Sequence, residues 1–223
     1  MRKRLVACLG VLALCLSSAV AQDSGKAVPA ASSNNRIELP APQLSGGMTL
    51  NQALASRRSM RAYLPTPLTR AELSQILWSA QGITDKAGHR TAPSAAAQYF
   101  LHVYVADASG FFEYIPQGHQ LQKLSGQDLR SKFSGQQAVN QAPTVLVIAG
   151  EYERAAAKYG PEKGPRVTNL EAGHVAQNVL LQAAALGLGA VPTAGIEPKD
   201  VQKAASLPAQ YSVIYLIPVG HPK

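Results

Sequence analysis

Apolar positions along the chain follow two rhythms, one near 3.6 residues and one near 2, and the changes between them mark out the elements. Leu50, Ala53 and Leu54 recur at the helical spacing. Thr49 stands just before them with Gln52 three residues on, so the two side chains can satisfy each other's backbone N–H groups as a capping box. A second box, Thr69 with Glu72, opens AELSQILWSAQ, where Leu68 and Leu73 are placed as a hydrophobic staple and Gly82 marks the end. Thr168 with Glu171 predicts the start of the longest helix, in which Ala172, Val175, Ala176, Val179, Leu180, Ala183 and Leu186 recur; Gly187 and Gly189 end it. Between the helices, FLHVYVA (Phe100 to Ala106) alternates and is rich in β-formers, and FFEYIPQGHQLQKL reads as a hairpin around Gln117-Gly118. TVLVIAG (Thr144 to Gly150) is a continuous apolar run suited to a central strand covered on both faces, and SVIYLIPVG (Ser212 to Gly220) is a second buried strand. Strands mixed with long helices, without regular β-α alternation, predict an α+β fold.

The beginning of the chain has a different pattern. Arg2, Lys3 and Arg4 precede the apolar stretch LVACLGVLALCL, and small residues follow as far as Ala19-Val20-Ala21. This predicts a secretory signal peptide over 1–21, cleaved before Gln22, with export to the periplasm or beyond. The apolar stretch is short for a bilayer span, so no integral membrane segment is expected in the mature chain. Residues 22–47 are rich in Ser, Pro, Gly, Ala and Asn and lack a sustained apolar period, which predicts a flexible arm ahead of one folded domain over 48–223. Both cysteines, Cys8 and Cys15, fall within the signal, which removes disulfides, thiolate nucleophiles and Cys-zinc sites from the mature protein. Without the signal, 18 Lys and Arg face 13 Asp and Glu, a net charge of +5. That is mildly basic, and no Lys/Arg run with interleaved aromatics suggests nucleic acid as a partner.

Several chemistries lack their motifs. The five histidines show no pairing at i, i+3 or i, i+4 and no HExxH spacing, so no metal site is expected. Ser94 in TAPSAAAQ lacks the G-x-S-x-G elbow of a hydrolase. LGLGAVP follows a helix and not a strand, so it fails as a dinucleotide loop. What remains is SRRSMRAY, with Arg57, Arg58 and Arg61 around Ser59. If the chain turns there from helix to extended form, guanidinium forks and a hydroxyl can converge on a phosphate or an electron-rich ring. A solvated helix end is the alternative for Arg57 and Arg61, and Arg58 reads as a surface or interface salt bridge. PSAAA and VPTAG offer small residues and backbone N–H groups against which a flat ligand could lie.

Taken in order, RRSMRAY, LSQILWSAQGI, RTAPSAAAQYFLHVYV, QAPTVLVIAG, LEAGHVAQNVLLQAAALGLGAVPTAG and IPVGHP resemble the FMN-dependent nitroreductase-like superfamily, and within it the SagB/ThcOx-type dehydrogenase branch. The resemblance runs from about Ile37 onward. It implies a mixed, mostly antiparallel sheet flanked by helices, in an intertwined homodimer with FMN at the interface. It places Arg57 and Ser59 on the FMN phosphate with Arg58 assisting, and Arg61 at the pyrimidine edge, where a cation favours the reduced flavin. Pro93, Ser94 and Ala95 match the segment that reaches the flavin across the dimer. Pro192, Thr193, Ala194 and Gly195 match the strip whose backbone meets flavin N5, where a glycine leaves room for hydride to approach. Glu171, Gly173, His174 and Gln177 match a helix typical of the branch and are expected in the dimer core. Lys158 and Tyr159 resemble a Lys-Tyr pair used for proton transfer by azoline-oxidising members, with a plain helix end as the alternative. Lys223 or a helix N-terminus is expected to stand in for the basic residue that in many relatives binds the phosphate, with weaker binding as the alternative.

The function implied is an exported FMN oxidoreductase that passes hydride or electron pairs from an unidentified donor to a small organic acceptor, such as a nitroaromatic, a quinone or an azoline. A flavin-binding dimeric scaffold without turnover is the alternative, and a basic surface-binding protein a weaker third.

Overall fold

The computed structural model describes residues 35–223. The expected signal over 1–21, and the arm as far as residue 34, lie outside the described residues. A seven-stranded sheet organises the rest: β1 (Arg36–Glu38), β2 (Leu101–Asp107), β3 (Gly110–Ile115), β4 (Gln120–Ser125), β5 (Thr144–Gly150), β6 (Gly189–Ala190) and β7 (Ser212–Gly220). They lie in the order β1-β4-β3-β2-β5-β7-β6, each pair antiparallel. β5 is buried throughout, as its continuous apolar run predicts. Leu146 and Ile148 face one core with α2 (Arg70–Gln81) and α5 (Lys163–Ala185), while Val145, Val147 and Ala149 face a second core with Tyr104, Phe111, Phe133 and Val201. Polar residues are scarce on β5 because both faces are covered. The architecture is α+β, and its sheet is mostly antiparallel.

Both expected capping boxes form. Thr49 caps α1 (Leu50–Ser56) with Gln52, and Thr69 caps α2 with Glu72. The hairpin closes between β3 and β4 through Gly118 at φ 84° and His119 at φ 50°, with Pro116 just outside the paired region. α5 departs from expectation, since it begins at Lys163, five residues before Thr168. Gly164 and Pro165 read as breakers, but a proline in the first turn sacrifices only an N–H that has no helical partner. Gly164 is required by packing, because a Cβ there would lie 2.4 Å from the Ala156 nitrogen of α4 (Tyr152–Tyr159). The expected box at Thr168 therefore does not exist. The Thr168 hydroxyl donates back to the Gly164 carbonyl (2.9 Å), and Glu171 is released for a different contact.

The expected arm also shortens. Ile37 pairs with Leu121 at the sheet edge, the Leu39 N–H reaches the His119 carbonyl (3.2 Å), and the Gln43 N–H reaches Gln75 Oε1 (2.8 Å). Ile37 and Leu39 pack on the core, and three residues of alternation are too few to stand out in a Ser/Pro-rich sequence. Two short helices that sequence periodicity did not reveal, α3 (Gln137–Gln141) and α6 (Pro198–Ala204), complete the second face.

Candidate functional site

The chain leaves α1 at Arg57, whose φ and ψ of −54° and 123° turn it from helix to extended form. It then runs beside β6. Ser59 forms a parallel bridge with Ala190, and the Met60 N–H donates to the Ala190 carbonyl (3.1 Å). On its other side the segment meets the last residues of the chain: Tyr63 bridges Pro222, the Leu64 N–H donates to His221 (2.8 Å), and the Lys223 N–H donates to Ala62 (3.2 Å). Tyr63 is the anchor. It is buried, its hydroxyl donates to the Met60 carbonyl and lies 3.3 Å from the Pro218 carbonyl, and burial pushes the phenol well above its ordinary value of 10.0. Two glycines make the bed it lies in. A Cβ at Gly189 would lie 2.7 Å from Met60 Cβ, and one at Gly220 would lie 2.6 Å from Pro143 Cδ and 3.2 Å from Tyr63 Cβ.

Arg57, Ser59, Arg61 and Lys223 thus share one neighbourhood. Arg57 is half-buried and the other three are exposed. None of the three basic side chains enters an ion pair among the described residues. Arg58 differs from its expected salt bridge: its Nη1 donates to the Ala55 (3.0 Å) and Arg57 (2.8 Å) carbonyls and so caps the end of α1. A cation over the last carbonyls is favourable there, since they lack helical donors.

The Pro192–Gly195 strip continues from β6. Thr193 pairs with Leu216 of β7 in both directions (2.8 and 3.0 Å). Gln136, just before α3, grips the strip: its Nε2 donates to the Gly195 carbonyl (2.6 Å), and its Oε1 accepts from the Thr193 hydroxyl (3.1 Å). Pro192 and Thr193 are half-buried, and Ala194 and Gly195 are exposed. A Cβ at Gly195 would meet nothing nearer than Gln136 Nε2 at 3.6 Å, so the chain's own packing does not require glycine there. Gln136, Tyr63 and Gly189 are the residues that sequence reasoning missed. A lone Gln in a polar loop carries no signal, and Gly189 reads as a helix end.

Pro93, Ser94 and Ala95 lie elsewhere on the chain, in a loop under strain. Ala96, Ala97 and Tyr99 have φ of 48°, 52° and 51°, a left-handed conformation that costs a non-glycine residue on the order of 1–3 kcal/mol. Side chains hold it from both sides. Outside, Arg154 donates to the Gln98 (3.1 Å) and Tyr99 (2.7 Å) carbonyls and pairs with Glu151 (2.9 Å). Glu151 shares His102 with Glu113, at 3.0 and 2.8 Å, and the imidazole stacks on Tyr211. Burial alone would lower the His102 pKa, but the hydrogen bonds and charges of the two carboxylates hold it above its ordinary 6.5. Inside, the Ser94 hydroxyl donates to Glu171 Oε2 (2.6 Å) and accepts the Tyr99 N–H (2.8 Å). Glu171 is 1% exposed, and burial pushes its carboxyl above the ordinary 4.5 against Ser94, the Phe100 N–H, Arg90 and Gln81, which favour the ionised form. Farther along α5, Gly173 is half-buried, His174 and Gln177 are exposed, and His174 Nδ1 lies 3.4 Å from the Pro93 carbonyl. Lys158 and Tyr159 end α4. Lys158 is exposed, the Tyr159 ring meets Phe100 edge-on at 6.1 Å, and the buried Tyr159 hydroxyl has no partner among the described residues.

Comparison with known proteins follows the same lines as the geometry. The pattern of the nitroreductase family matches residues 54–221. A candidate nitroreductase of Methanocaldococcus jannaschii is 37% identical over 194 residues, which are 82% of this chain and 96% of that one. The crystal structure of a candidate nitroreductase from Ralstonia eutropha superposes with a TM-score of 0.80 at 32% identity, covering 85% of this chain and 90% of that one. The NADPH:FMN oxidoreductase of Vibrio harveyi, complexed with NAD+, has a TM-score of 0.58 at 21% identity over 78% of this chain and 69% of its own, a likeness of fold alone.

Proposed function

Because the chain belongs to the nitroreductase family and is an oxidoreductase of that family, we propose that it binds FMN at the arginine segment and passes electron pairs from a donor to a small organic acceptor. The observation that carries this is the convergence of Arg57, Ser59, Arg61 and Lys223 beside the Gln136-held strip, with basic groups that no acidic partner neutralises among the described residues. The residues fit the group. A phosphate would answer the unpaired cations and the exposed Ser59 hydroxyl, and a ring would explain a glycine at 195 that packing does not demand. FMN, when bound, supplies reversible two-electron redox chemistry.

The chain's own groups do the rest. Arg57, Ser59 and Lys223 hold the phosphate; Arg58 keeps the end of α1 closed so that Arg57 leaves it at a fixed angle. Arg61 places positive charge where the reduced ring gains negative charge, which raises the potential. Thr193 to Gly195 present backbone to the ring, and Gln136 fixes their register. A homodimer completes the reading. Leu50, Leu54 and Leu170 expose 65%, 51% and 56% of their surface on α1 and α5, and the space above Gly173 is open. A second copy covering this face would bury the leucines and bring the Pro93–Ala95 loop of one subunit to the flavin of the other, across an interface of more than about 2,000 Å². The LEAGHVAQN stretch supports the SagB/ThcOx-type branch, with nitroaromatics, quinones and azolines as acceptor classes. Export rests on the pattern of residues 1–21 alone.

One preparation tests these together. Protein expressed with its natural beginning should be secreted and start at Gln22 by mass. Reconstituted with FMN, it should carry about one flavin per chain and scatter light as a dimer. Reduced by NADPH, a quinol or dithionite in turn, it should reoxidise anaerobically with a nitroaromatic or a quinone, and the reductant that works identifies the donor class. A protein left colourless under excess FMN would end the proposal.

A further inference from the structure

We propose that Glu171 is a positioning residue which, through Ser94, sets the loop that one subunit presents to the flavin of its partner; this rests on the FMN reading above. A carboxylate is an expensive way to fill a buried position on a helix, because desolvation opposes its charge. Glu171 is buried, forms no Lys or Arg ion pair within 4 Å among the described residues, and has one oxygen, Oε1, without a hydrogen-bond partner. Its other oxygen takes the Ser94 hydroxyl at 2.6 Å and the Phe100 N–H at 3.5 Å. These two groups bracket the left-handed residues Ala96, Ala97 and Tyr99.

The direction of the bond at Ser94 sets its consequence. A serine has one hydroxyl hydrogen, and Glu171 accepts it, which leaves the oxygen to receive the Tyr99 N–H at 2.8 Å. Ser94 is therefore the joint of the loop, and the outward surface is left to Pro93, Ala96 and Ala97, all exposed. No hydrogen bond within the described residues engages the N–H groups of Ala95 and Ala96, which remain available to an acceptor at the loop's surface. Arg154 pins the Gln98 and Tyr99 carbonyls from outside, but it touches nothing before residue 98 except through the backbone. In the first half of the loop Glu171 holds Ser94 at 2.6 Å, beside a long His174 contact to the Pro93 carbonyl (3.4 Å) and a bond within the loop from Gln98 Nε2 to the Ala96 carbonyl (3.1 Å).

The test is amide hydrogen exchange on FMN-free protein, with FMN titration run in parallel, for Glu171→Ala, Glu171→Gln, Ser94→Ala and the Ser94→Ala/Glu171→Ala double variant. Exchange over residues 97–100, whose N–H groups are hydrogen-bonded in the loop, should rise about tenfold in Glu171→Ala and Ser94→Ala, the ratio expected from losing one hydrogen bond to a charged group, while β5 amides hold their wild-type rates. Glu171→Gln keeps an acceptor for the hydroxyl and should restore slow exchange, and the double variant should be no worse than the more affected single. FMN affinity should fall in step with loop exchange. Should Glu171→Ala fail to fold, Ser94→Ala removes the same bond at the loss of one oxygen. Loop exchange at the wild-type rate in Ser94→Ala, or β5 amides rising together with the loop, overturns the proposal. Failure of the flavin reading shows separately, as wild-type protein that binds no FMN while its loop still responds to both substitutions.

Discussion

The arginine segment and the alanine loop are both expected to meet the flavin, yet they are held in opposite ways. From Ser59 to Leu64, peptide groups pair with β6 and with the last residues of the chain, so the backbone fixes where the side chains go, and the charged ones point out. From Ser94 to Phe100, side chains of Glu171, Arg154 and Ser94 itself fix where the peptide groups go, and small residues point out. The first region carries its specificity in groups that the fold leaves unused. The second carries it in backbone shape maintained against strain. Substituting an outward residue should thus affect binding in the first, whereas the second should be sensitive to substitutions far from its surface.

The strongest test of this contrast is Arg57→Ala. Removing charge-assisted hydrogen bonds worth roughly 1.5–3 kcal/mol each should weaken FMN about tenfold or more in a fluorescence titration. The melting temperature of the FMN-free protein should not move, since Arg57 makes no side-chain bond to the fold among the described residues; a large drop would show the segment to be held by its side chains after all. Gly189→Ala attacks the backbone docking. Its methyl group would press on Met60 and Tyr63, and overpacking of this kind costs about 1–3 kcal/mol. Denaturant unfolding should register that loss, and FMN affinity should fall too, because Ser59 shifts with Met60. Tyr63→Phe should cost about 0.5–1.5 kcal/mol by removing the hydroxyl from the Met60 and Pro218 carbonyls. Ala97→Gly reverses the sign. With φ at 52°, glycine relieves strain and should raise stability by up to about 1 kcal/mol, so a lower melting temperature would contradict a strained loop.

A pH dependence refines the second region, because His102 connects to the loop through Glu151 and Arg154. Its folded pKa lies above 6.5, so its contribution to stability is fully present below about pH 6.5 and is lost as pH rises through the folded value. The melting temperature should fall over that interval, and His102→Gln should flatten the fall. The midpoint is set by burial, which lowers it, and by the carboxylates of Glu113 and Glu151, which raise it, and an unchanged slope in the variant would assign the effect elsewhere.

The elements with a strong local rule were legible. The Thr49 and Thr69 boxes, the hairpin at Gly118 and the buried run of β5 each depend on residues within a few positions of one another. The start of α5 was misread because Gly164 and Pro165 locally argue against a helix, and only the close approach of Ala156 shows why glycine stands there. Glu171, placed by sequence in a capping box, is instead the inner support of a loop 77 residues away. Likewise, the arginine cluster announces an anion site by charge density, but its neighbours Ala190 and Lys223 have no sequence proximity to reveal them.

The sequence by itself determined the strongly patterned elements, α1, α2, the body of α5, β2, the β3–β4 hairpin, β5 and β7, that cysteine chemistry is absent beyond Cys15, and that basic groups concentrate at residues 57–61. Those properties follow from period, composition and local capping, which act over a few residues. Tertiary structure alone decided that Arg57 and Arg61 meet no acidic partner among the described residues, that Gln136 grips Gly195, and that a buried carboxylate holds Ser94. The physical reason is range: a hydrogen bond selects its partner by a distance of about 3 Å in space, and only the folded sheet brings residues 59 and 190, or 94 and 171, within that distance.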